Sequence, residues 1–339
     1  MPRLAIIGLG LIGGSIGLAL KRAGLEGLEI AGHDNEWGVA AKAKKRGAID
    51  LEERHPTHAV EGAAIIVIAT PISKVPGVLE EIAPALGDGA VVTDTASTKR
   101  DIVRIAHRTL PENVHFVGGH PIAGKETSGI DAAEAALFDG RPWAITPSVH
   151  APERAIQTVE NLIQLLGAQP VLIDAEEHDA YMAAVSHLPL IAATALFSLV
   201  RESQGWAELG SLAGPGFRDT TRLASTNPGL SHDIALTNRE NLLHWLDRYI
   251  EELRRYRGLL ADAGRQEELL QAFVRAQTER DVFVDHPPER QRVEGPRDDM
   301  SAGERMMTFM VGEYVVRRSK DIEKLLQERE TDRPRQGDR

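Results

Sequence analysis

Short apolar runs recur through the first half of the chain, separated by stretches with helical spacing. Continuous apolar runs of this length are typical of strands buried on both faces of a parallel sheet. Alternation of such strands with helices predicts an α/β Rossmann fold, which is a doubly wound and mainly parallel sheet. The predicted strands are residues 4–7, 28–32, 63–69, 90–93, 114–117, 142–146 and 170–173.

The hydrophobic pattern changes after residue 174, where only helical stretches follow. Residues 178–203 are apolar on more than one face, which predicts a helix buried between other helices or at a subunit interface. We expect Pro189 to kink this helix and free a backbone carbonyl. Further helices are predicted over residues 238–260, up to about residue 280, and over residues 300–327. Residues 285–299 are predicted to form an exposed loop, and the polar tail at 328–339 is predicted to be disordered.

Composition and charge narrow the class of protein. The chain has 339 residues, 42% of them hydrophobic and 26% charged, which suggests two domains. A net charge of −11 disfavours nucleic acid as a partner, because phosphate backbones are repelled. There is no cysteine, which excludes disulfides and cysteine-ligated metal sites, and no metal is expected. The glycine-rich N-terminal run lacks a cleavage site, and no later stretch reaches about 18 apolar residues, so we expect a cytoplasmic protein without membrane contact.

A glycine fingerprint follows the first predicted strand and opens a helix. Its sequence is Gly-Leu-Gly-Leu-Ile-Gly, and this position after a strand is the context that dinucleotide binding requires. The first glycine makes the tight turn, the second lets the backbone approach a pyrophosphate, and the third allows close packing of helix and strand. The helix N-terminus supplies N–H groups to the phosphates. The candidate residues are Gly8, Gly10, Leu11, Ile12 and Gly13.

Asp34 follows the second predicted strand, about 20 residues after the glycines, where an acid accepts hydrogen bonds from the adenine ribose. A carboxylate at this position repels a 2′-phosphate, so we predict NAD rather than NADP. The alternative is that Asp34 caps the next helix. Thr70, Pro71 and Thr95 follow two further strands and are candidate cofactor contacts. Ser97 lies in the same kind of position, although it and its neighbour Thr98 could also be N-caps.

Three other segments carry candidate chemistry. Gly-Gly-His-Pro follows the strand at 114–117 and places His120 where ligands bind in open α/β sheets, unless the segment is only a tight turn. His187 lies in the long apolar helix, where a lone histidine is usually a satisfied core residue. A Gly-rich bend at 214–222 interrupts the helices and presents Arg218 and Arg222.

Together these motifs resemble the prephenate dehydrogenase family, which includes arogenate and cyclohexadienyl dehydrogenases. The specific ones are His-Pro-Ile-Ala-Gly, Ser-His-Leu-Pro and Gly-Phe-Arg-Asp-x-x-Arg, which occur in the order and spacing of the family. The resemblance implies a nucleotide-binding domain over residues 1–174 and a helical substrate and dimerisation domain over 175–327. It also implies oxidative decarboxylation of prephenate to 4-hydroxyphenylpyruvate with reduction of NAD+, a step of tyrosine biosynthesis. The matching segments are residues 8–17, 94–99, 118–124, 127–129, 184–189 and 214–224.

The resemblance also implies roles for the candidate residues. His120 is the expected general base, and Ser97 is expected to bond the same substrate hydroxyl. His187 and Arg222 are expected to bind the carboxylates of a small dianionic substrate, with Asp219 orienting Arg222 and with Arg218 as the alternative anchor. Whether prephenate or arogenate is preferred stays open, and tyrosine is a candidate inhibitor of the homodimer. The rival functions are another hydroxyacid dehydrogenase and a non-catalytic NAD-binding regulator.

Overall fold

The computed structural model describes residues 1–125, 127–288, 301, 303, 304 and 306. The predicted tail at 328–339, nearly all of the predicted helix at 300–327 and residues 289–299 of the predicted loop lie outside the described residues.

One eight-stranded sheet forms the N-terminal half. All neighbouring strands are parallel except the sixth and seventh, which are antiparallel. The spatial order is 3-2-1-4-5-6-7-8, so the predicted doubly wound, mainly parallel sheet is confirmed. The short third strand was not predicted, because two residues carry no readable pattern. The strands are β1 Arg3–Ile7, β2 Glu29–His33, β3 Leu51–Glu52, β4 Ala63–Ile68, β5 Val91–Asp94, β6 His115–Pro121, β7 Pro142–Pro147 and β8 Gln169–Leu172.

Two hydrophobic clusters lie on opposite faces of the sheet. Leu4 and Ile6 of β1 belong to one cluster, whereas Ala5 and Ile7 belong to the other. Since successive strand residues point to opposite faces, a strand covered on both faces must be apolar throughout. The covering helices are α1 Leu11–Arg22, α2 Val39–Lys45, α3 Pro56–Val60, α4 Val75–Ile82, α5 Arg100–Thr109 and α6 Glu153–Leu165.

Strand β6 extends further than its apolar run predicts. Its first two residues, His115 and Phe116, pair with β5 in parallel. From Val117 to Pro121 it pairs instead with the antiparallel strand β7. The expectation that the strand ends at residue 117 is therefore wrong, because β7 supplies ladder partners through both glycines and the histidine.

A long, interrupted helix follows the sheet. It comprises α7 Ala175–Met182, a π-helical turn at Ala183–His187 and α8 Leu188–Arg201. Pro189 lies at the start of α8, so the π turn accommodates the proline that the sequence predicts to kink the helix. Three helices follow: α9 Trp206–Ser211, α10 Pro215–Thr220 and α11 Pro228–Thr237. The predicted Gly-rich bend is thus partly wrong, since α10 begins at its proline, a favoured first helical position.

The combined helix Ala175–Arg201 is also long and apolar enough to cross a membrane, by length and composition alone. Its best window has a mean hydropathy of 1.8, and 22% of that window is buried. The expectation that no stretch reaches this length is wrong. The mean hydropathy of the window stays high although scattered Ser, Thr, His and Pro residues interrupt the apolar run. Val185 and Leu199 are 70% and 71% exposed, so much of the apolar surface of this helix is uncovered within the chain.

The described residues form two compact units, one extending to Asn238 and one beginning at Arg239. The second unit contains α12 Arg239–Ala261 and α13 Gln266–Asp285. A short turn joins these two helices, in which the Asp262 side chain accepts a hydrogen bond from the Gly264 N–H at 2.8 Å. The two helices pack against each other as an antiparallel pair joined by a short connection.

Candidate active site

The glycine fingerprint forms the turn between β1 and α1. Gly8 has a φ of 93°, and a Cβ there would lie 2.6 Å from the carbonyl oxygen of Ala69. A Cβ at Gly13 would overlap the carbonyl oxygen of Gly8. Around Gly10, by contrast, no atom lies within 4 Å of an added Cβ. Two of the glycines are therefore required by packing, and the third leaves open space for a ligand, as the fingerprint predicts.

The start of α1 fits a pyrophosphate. Its cap residue is Gly10, which has no side chain to bond the first turn, and that turn contains no acidic residue. The N–H groups of Leu11 and Ile12 and the positive end of the helix dipole therefore suit an anion. Thr70 follows β4, and its buried hydroxyl has no hydrogen-bond partner among the described residues. These features fit a dinucleotide, with Pro71 beside Thr70 at the same sheet edge.

Asp34 is held against the glycine turn. Its Oδ2 accepts a hydrogen bond from the Leu9 N–H at 2.7 Å, and its Oδ1 accepts one from the Glu36 N–H at 2.8 Å. Helix α2 begins five residues later, and Gly38 is its cap. The alternative that Asp34 caps the next helix is therefore wrong. Its contact with Leu9 places the carboxylate beside the turn that would hold the phosphates.

His120 begins a chain of buried side chains that links the sheet to α7. Its Nδ1 lies 2.9 Å from Nε2 of His178, whose Nδ1 lies 2.8 Å from Oδ1 of Asp179. The Asp179 carboxylate also accepts the backbone N–H groups of Lys99 and Arg100, at 2.8 and 3.0 Å. We call the chain His120–His178–Asp179 the relay. The two N–H groups belong to the start of α5, so Asp179 fixes the relay to that helix.

The partners in this chain determine which ring nitrogens carry protons. Because a carboxylate only accepts, Nδ1 of His178 carries a proton, and in the neutral form of that ring Nε2 is then the acceptor. His120 must then donate from Nδ1, which leaves its Nε2 unprotonated. No hydrogen bond to that Nε2 is made within the described part of the chain. The relay therefore presents a basic nitrogen that can accept a proton.

Burial lowers the pKa of His120 well below its ordinary value, and the neighbouring His178, Lys99 and His187 lower it further. His120 is consequently neutral near pH 7, as a general base must be. Desolvation is the main cause, because a buried imidazole loses the hydration that would stabilise its charged form.

His187 presents a hydrogen-bond donor, whereas His120 presents an acceptor. The Asn238 side-chain amide donates to Nδ1 of His187 at 3.0 Å and to the backbone carbonyl of Asp179 at 2.7 Å. Since Nδ1 accepts, the proton of neutral His187 is on Nε2, which is buried without a partner among the described residues. Burial lowers the pKa of His187 to about 4. His187 is thus a neutral N–H donor whose acceptor is not among the described residues.

The loop after β5 carries Thr95 and Ser97. The Thr95 N–H donates to the Ile68 carbonyl at 3.1 Å, which fixes the loop to β4. Ser97 is half-buried, and α5 begins at Arg100 without a side-chain cap from within the loop. Thr98 bonds the Thr237 hydroxyl at 2.9 Å. The alternative that Ser97 and Thr98 are N-caps is therefore wrong, because Asp179 binds the first N–H groups of α5.

The predicted arginines lie in a different part of the helical region. Arg218 and Asp219 are exposed on α10, and Arg222 is exposed in the short turn Arg222–Ser225 that follows it. That turn packs against α8, which begins directly after His187. The structure thus unites His120 and His187 in one buried network, while the carboxylate-binding role of the three exposed residues stays a prediction.

Sequence reasoning missed the residues that support the two histidines, namely Asp94, Lys99, His178, Asp179 and Asn238. Asp94 and Lys99 form an ion pair with fully buried side chains. A lysine inside a polar loop gives no sign of burial. The adjacent His-Asp pair at the start of an apolar helix was the one available signal.

Comparison with known proteins identifies the family. Sequence models described as the nucleotide-binding domain and the dimerization domain of prephenate dehydrogenase match residues 16–172 and 174–275. The prephenate dehydrogenase of Bacillus subtilis is 36% identical over 280 residues, covering 82% of this chain and 75% of that protein. The chain belongs to the prephenate dehydrogenase family. The cyclohexadienyl dehydrogenase of Zymomonas mobilis is 33% identical, covering 82% of this chain and 94% of that protein.

Solved structures of family members agree. Prephenate dehydrogenase from Aquifex aeolicus, in complex with hydroxyphenyl propionate and NAD+, aligns with a TM-score of 0.78 at 28% identity, covering 84% of this chain and 98% of that one. Synechocystis arogenate dehydrogenase aligns with a TM-score of 0.71 at 30% identity, covering 83% of this chain and 99% of that one. These matches confirm the predicted family, the Rossmann fold and the use of NAD by a dehydrogenase.

Proposed function

We propose that this member of the family is an NAD-dependent prephenate dehydrogenase, which converts prephenate to 4-hydroxyphenylpyruvate and CO2. The observation that carries the proposal is the unprotonated Nε2 of His120, held by a buried relay at the carboxyl edge of the sheet. A base at this position suits oxidation of an alcohol, because removing the hydroxyl proton eases departure of a hydride from the same carbon.

The reaction balances with one histidine. Nε2 of His120 takes the proton of the ring hydroxyl while the hydride leaves the ring carbon. NAD+, when bound, accepts that hydride. The bond between the ring and its carboxylate then breaks, CO2 leaves, and the ring becomes aromatic. His120 returns its proton to the phenolate oxygen, so no net proton is released and the neutral histidine is restored.

We assign the remaining candidates by their chemistry. Nε2–H of His187 has no partner in the part of the chain that the structure describes, and it suits a substrate carboxylate. Arg222 is the proposed anchor of the second carboxylate, with Asp219 orienting it and Arg218 as the alternative. Ser97 is proposed to bond the ring hydroxyl beside His120. Gly8, Gly10, Leu11, Ile12, Gly13, Asp34, Thr70, Pro71 and Thr95 are the proposed cofactor contacts.

We also propose that the enzyme is a cytoplasmic homodimer. Residues 174–275 match a dimerization domain, and this range contains the whole of the apolar helix Ala175–Arg201. A second subunit would cover the exposed Val185 and Leu199 in place of a membrane. Tyrosine is a proposed inhibitor, because it shares the hydroxyphenyl group of the product.

One assay tests the activity and the substrate. The purified chain is mixed with NAD+ and either prephenate or arogenate, and NADH absorbance is followed. We expect a higher kcat/KM with prephenate, and a loss of kcat by about 10²–10⁴ in His120→Asn, the usual value of a general base. Binding of NAD+ to this variant should stay normal.

Each result of this assay bears on a different part of the proposal. A preference for arogenate would assign the activity of the Synechocystis relative instead. Turnover of neither substrate would overturn the proposal, and full activity of His120→Asn would remove this residue from the chemistry.

A further inference from the structure

The parallel ladder between β5 and β6 ends just below the candidate site. Their backbones pair only at Val91 with His115 and at Val92 with Phe116. Further along, β6 turns its pairing to β7, and Gly119 lies opposite Ile145 of that strand. The β5 side of Gly118 and Gly119 therefore has no parallel ladder, at the two positions before His120.

A buried ion pair takes the place of the missing ladder. The Gly119 N–H donates to Oδ1 of Asp94 at 3.1 Å, and the Gly119 carbonyl accepts from Nζ of Lys99 at 2.7 Å. Lys99 and Asp94 also bond each other, and both side chains are fully buried. Both backbone groups of the residue before His120 are thus held by side chains of the β5 end.

The two glycines make room for this arrangement. A Cβ at Gly118 would lie 3.4 Å from Cδ of Lys99 and would overlap the Thr146 hydroxyl. A Cβ at Gly119 would lie 2.6 Å from the Asp94 carbonyl oxygen and 2.9 Å from Nε1 of Trp143. Larger residues here would push β6 away from the ion pair.

Lys99 also reaches the far end of the relay. Its backbone N–H donates to Oδ1 of Asp179, the same oxygen that contacts His178. One residue therefore binds the strand that carries His120 through its side chain, and the acid that anchors the relay through its main chain. A shift of Lys99 would displace both ends together.

We propose that Lys99 is a positioning residue for catalysis, which links β5 to β6 beyond the end of their ladder and holds His120 and Asp179 in register. This inference rests on the proposed role of His120 as the base. An apolar pair of similar volume would fill the same space, so folding alone does not require a buried ion pair here. Only the ion pair makes the polar contacts that hold Gly119, and we therefore assign it a role in function as well as in folding.

The charge of Lys99 supplies a readout that a purely structural role would not change. Its ammonium lowers the pKa of His120, so its removal should raise that pKa. In Lys99→Met, the other titratable and charged groups that surround this histidine are unchanged. The titratable and charged groups around His120 are Lys99 and Asp94 from the β5 end, His178 and Asp179 from α7, and His187 from the π turn.

The test compares Lys99→Met with the double variant Asp94→Asn/Lys99→Met, which avoids an unpaired buried carboxylate. We expect kcat with prephenate to fall by about 10²-fold, the cost of small misplacements of a catalytic group. The KM for NAD+ should change by less than about twofold, and the acid limb of kcat/KM should move to higher pH. Lys42→Met, which removes an exposed ion pair with Asp131, is the matched control and should behave as the wild type.

A second measurement is independent of turnover. The imidazole titration of His120 is followed by NMR in histidine-labelled protein and is assigned with His120→Asn. An upward shift in folded Lys99→Met supports the proposal, even if the wild type oxidises neither substrate. A uniform activity loss with an unmoved titration, or a kcat within about threefold of wild type in a folded variant, would overturn it.

Discussion

The relay behind His120 gives the most direct test of how the structure selects its base. In His178→Leu, the Nδ1 proton of His120 loses its acceptor, while a side chain of moderate size keeps the space filled. The ring of His120 can respond by moving its proton to Nε2. That tautomer cannot accept the substrate proton, so the variant should lose activity without losing His120.

The magnitude follows from the hydrogen bond. A buried donor left without a partner costs about 1–3 kcal/mol. At about 1.4 kcal/mol per tenfold change, the reactive tautomer becomes roughly 5- to 150-fold less populated. The kcat for prephenate, measured by NADH absorbance at saturating NAD+, should decrease by that factor. The KM for NAD+ should not change, because no relay residue lies in the glycine turn.

His178→Gln is the informative partner variant. A glutamine can accept from Nδ1 of His120 through its oxygen and donate to Asp179 through its amide, so it preserves the tautomer. We expect it to recover most of the lost activity. His107→Leu is the control, because this histidine is exposed and stacks on His150 away from the relay. A fully active His178→Leu, or equal losses in the leucine and glutamine variants, would refute the tautomer argument.

Three further outcomes are expected. Asp34→Ser should narrow the preference for NAD+ over NADP+ in kcat/KM, and a wild-type enzyme that favours NADP+ would contradict the role of Asp34. Arg222→Gln should raise the KM for prephenate on the order of 10–150-fold, the value of a hydrogen bond to a charged group, with an unchanged Tm and KM for NAD+; an unchanged prephenate KM would shift the role to Arg218. The pKa of His187 is about 4 in the folded protein against about 6.5 unfolded, so the unfolded state binds the proton first. The contribution of neutral His187 to the free energy of unfolding, at most about 3 kcal/mol, is therefore complete above about pH 6.5 and is lost as the pH falls toward 4. The Tm, measured across this pH range, should fall less steeply in His187→Gln than in the wild type.

Local signals in the sequence were sufficient to predict the geometry of the glycine turn and the position of Asp34, whereas their contacts with the cofactor stay predictions. The geometry is predictable because it depends on neighbouring residues: a tight turn, an open approach and an acid after a strand. The position of His120 was also predictable, since it follows a strand whose apolar run is visible. The strand continues through His120, however, because β7 pairs with it, and antiparallel pairing leaves no mark in the residues before it.

The supporting network was not predictable for a related reason. His178 meets His120 across 58 positions, and Asn238 meets Asp179 across 59. Contacts of this separation depend on how α7 packs on the sheet, and a single sequence does not contain that information. The burial of Lys99 is hidden in the same way, because it results from contacts with Asp94 and with Gly119 of β6 rather than from the polar loop around it.

The π turn at Ala183–His187 sets the angle between His178 and His187 around the helix axis. The two histidines are nine residues apart, which in a regular α-helix, at about 100° per residue, would place them on opposite faces. A π turn holds one residue more than an α turn, so the effective spacing is about eight residues and the two side chains differ by only about 80°. Without the wide turn, the base relay and the His187 donor would point away from each other. The turn also gives Pro189 a place where its missing N–H is not needed.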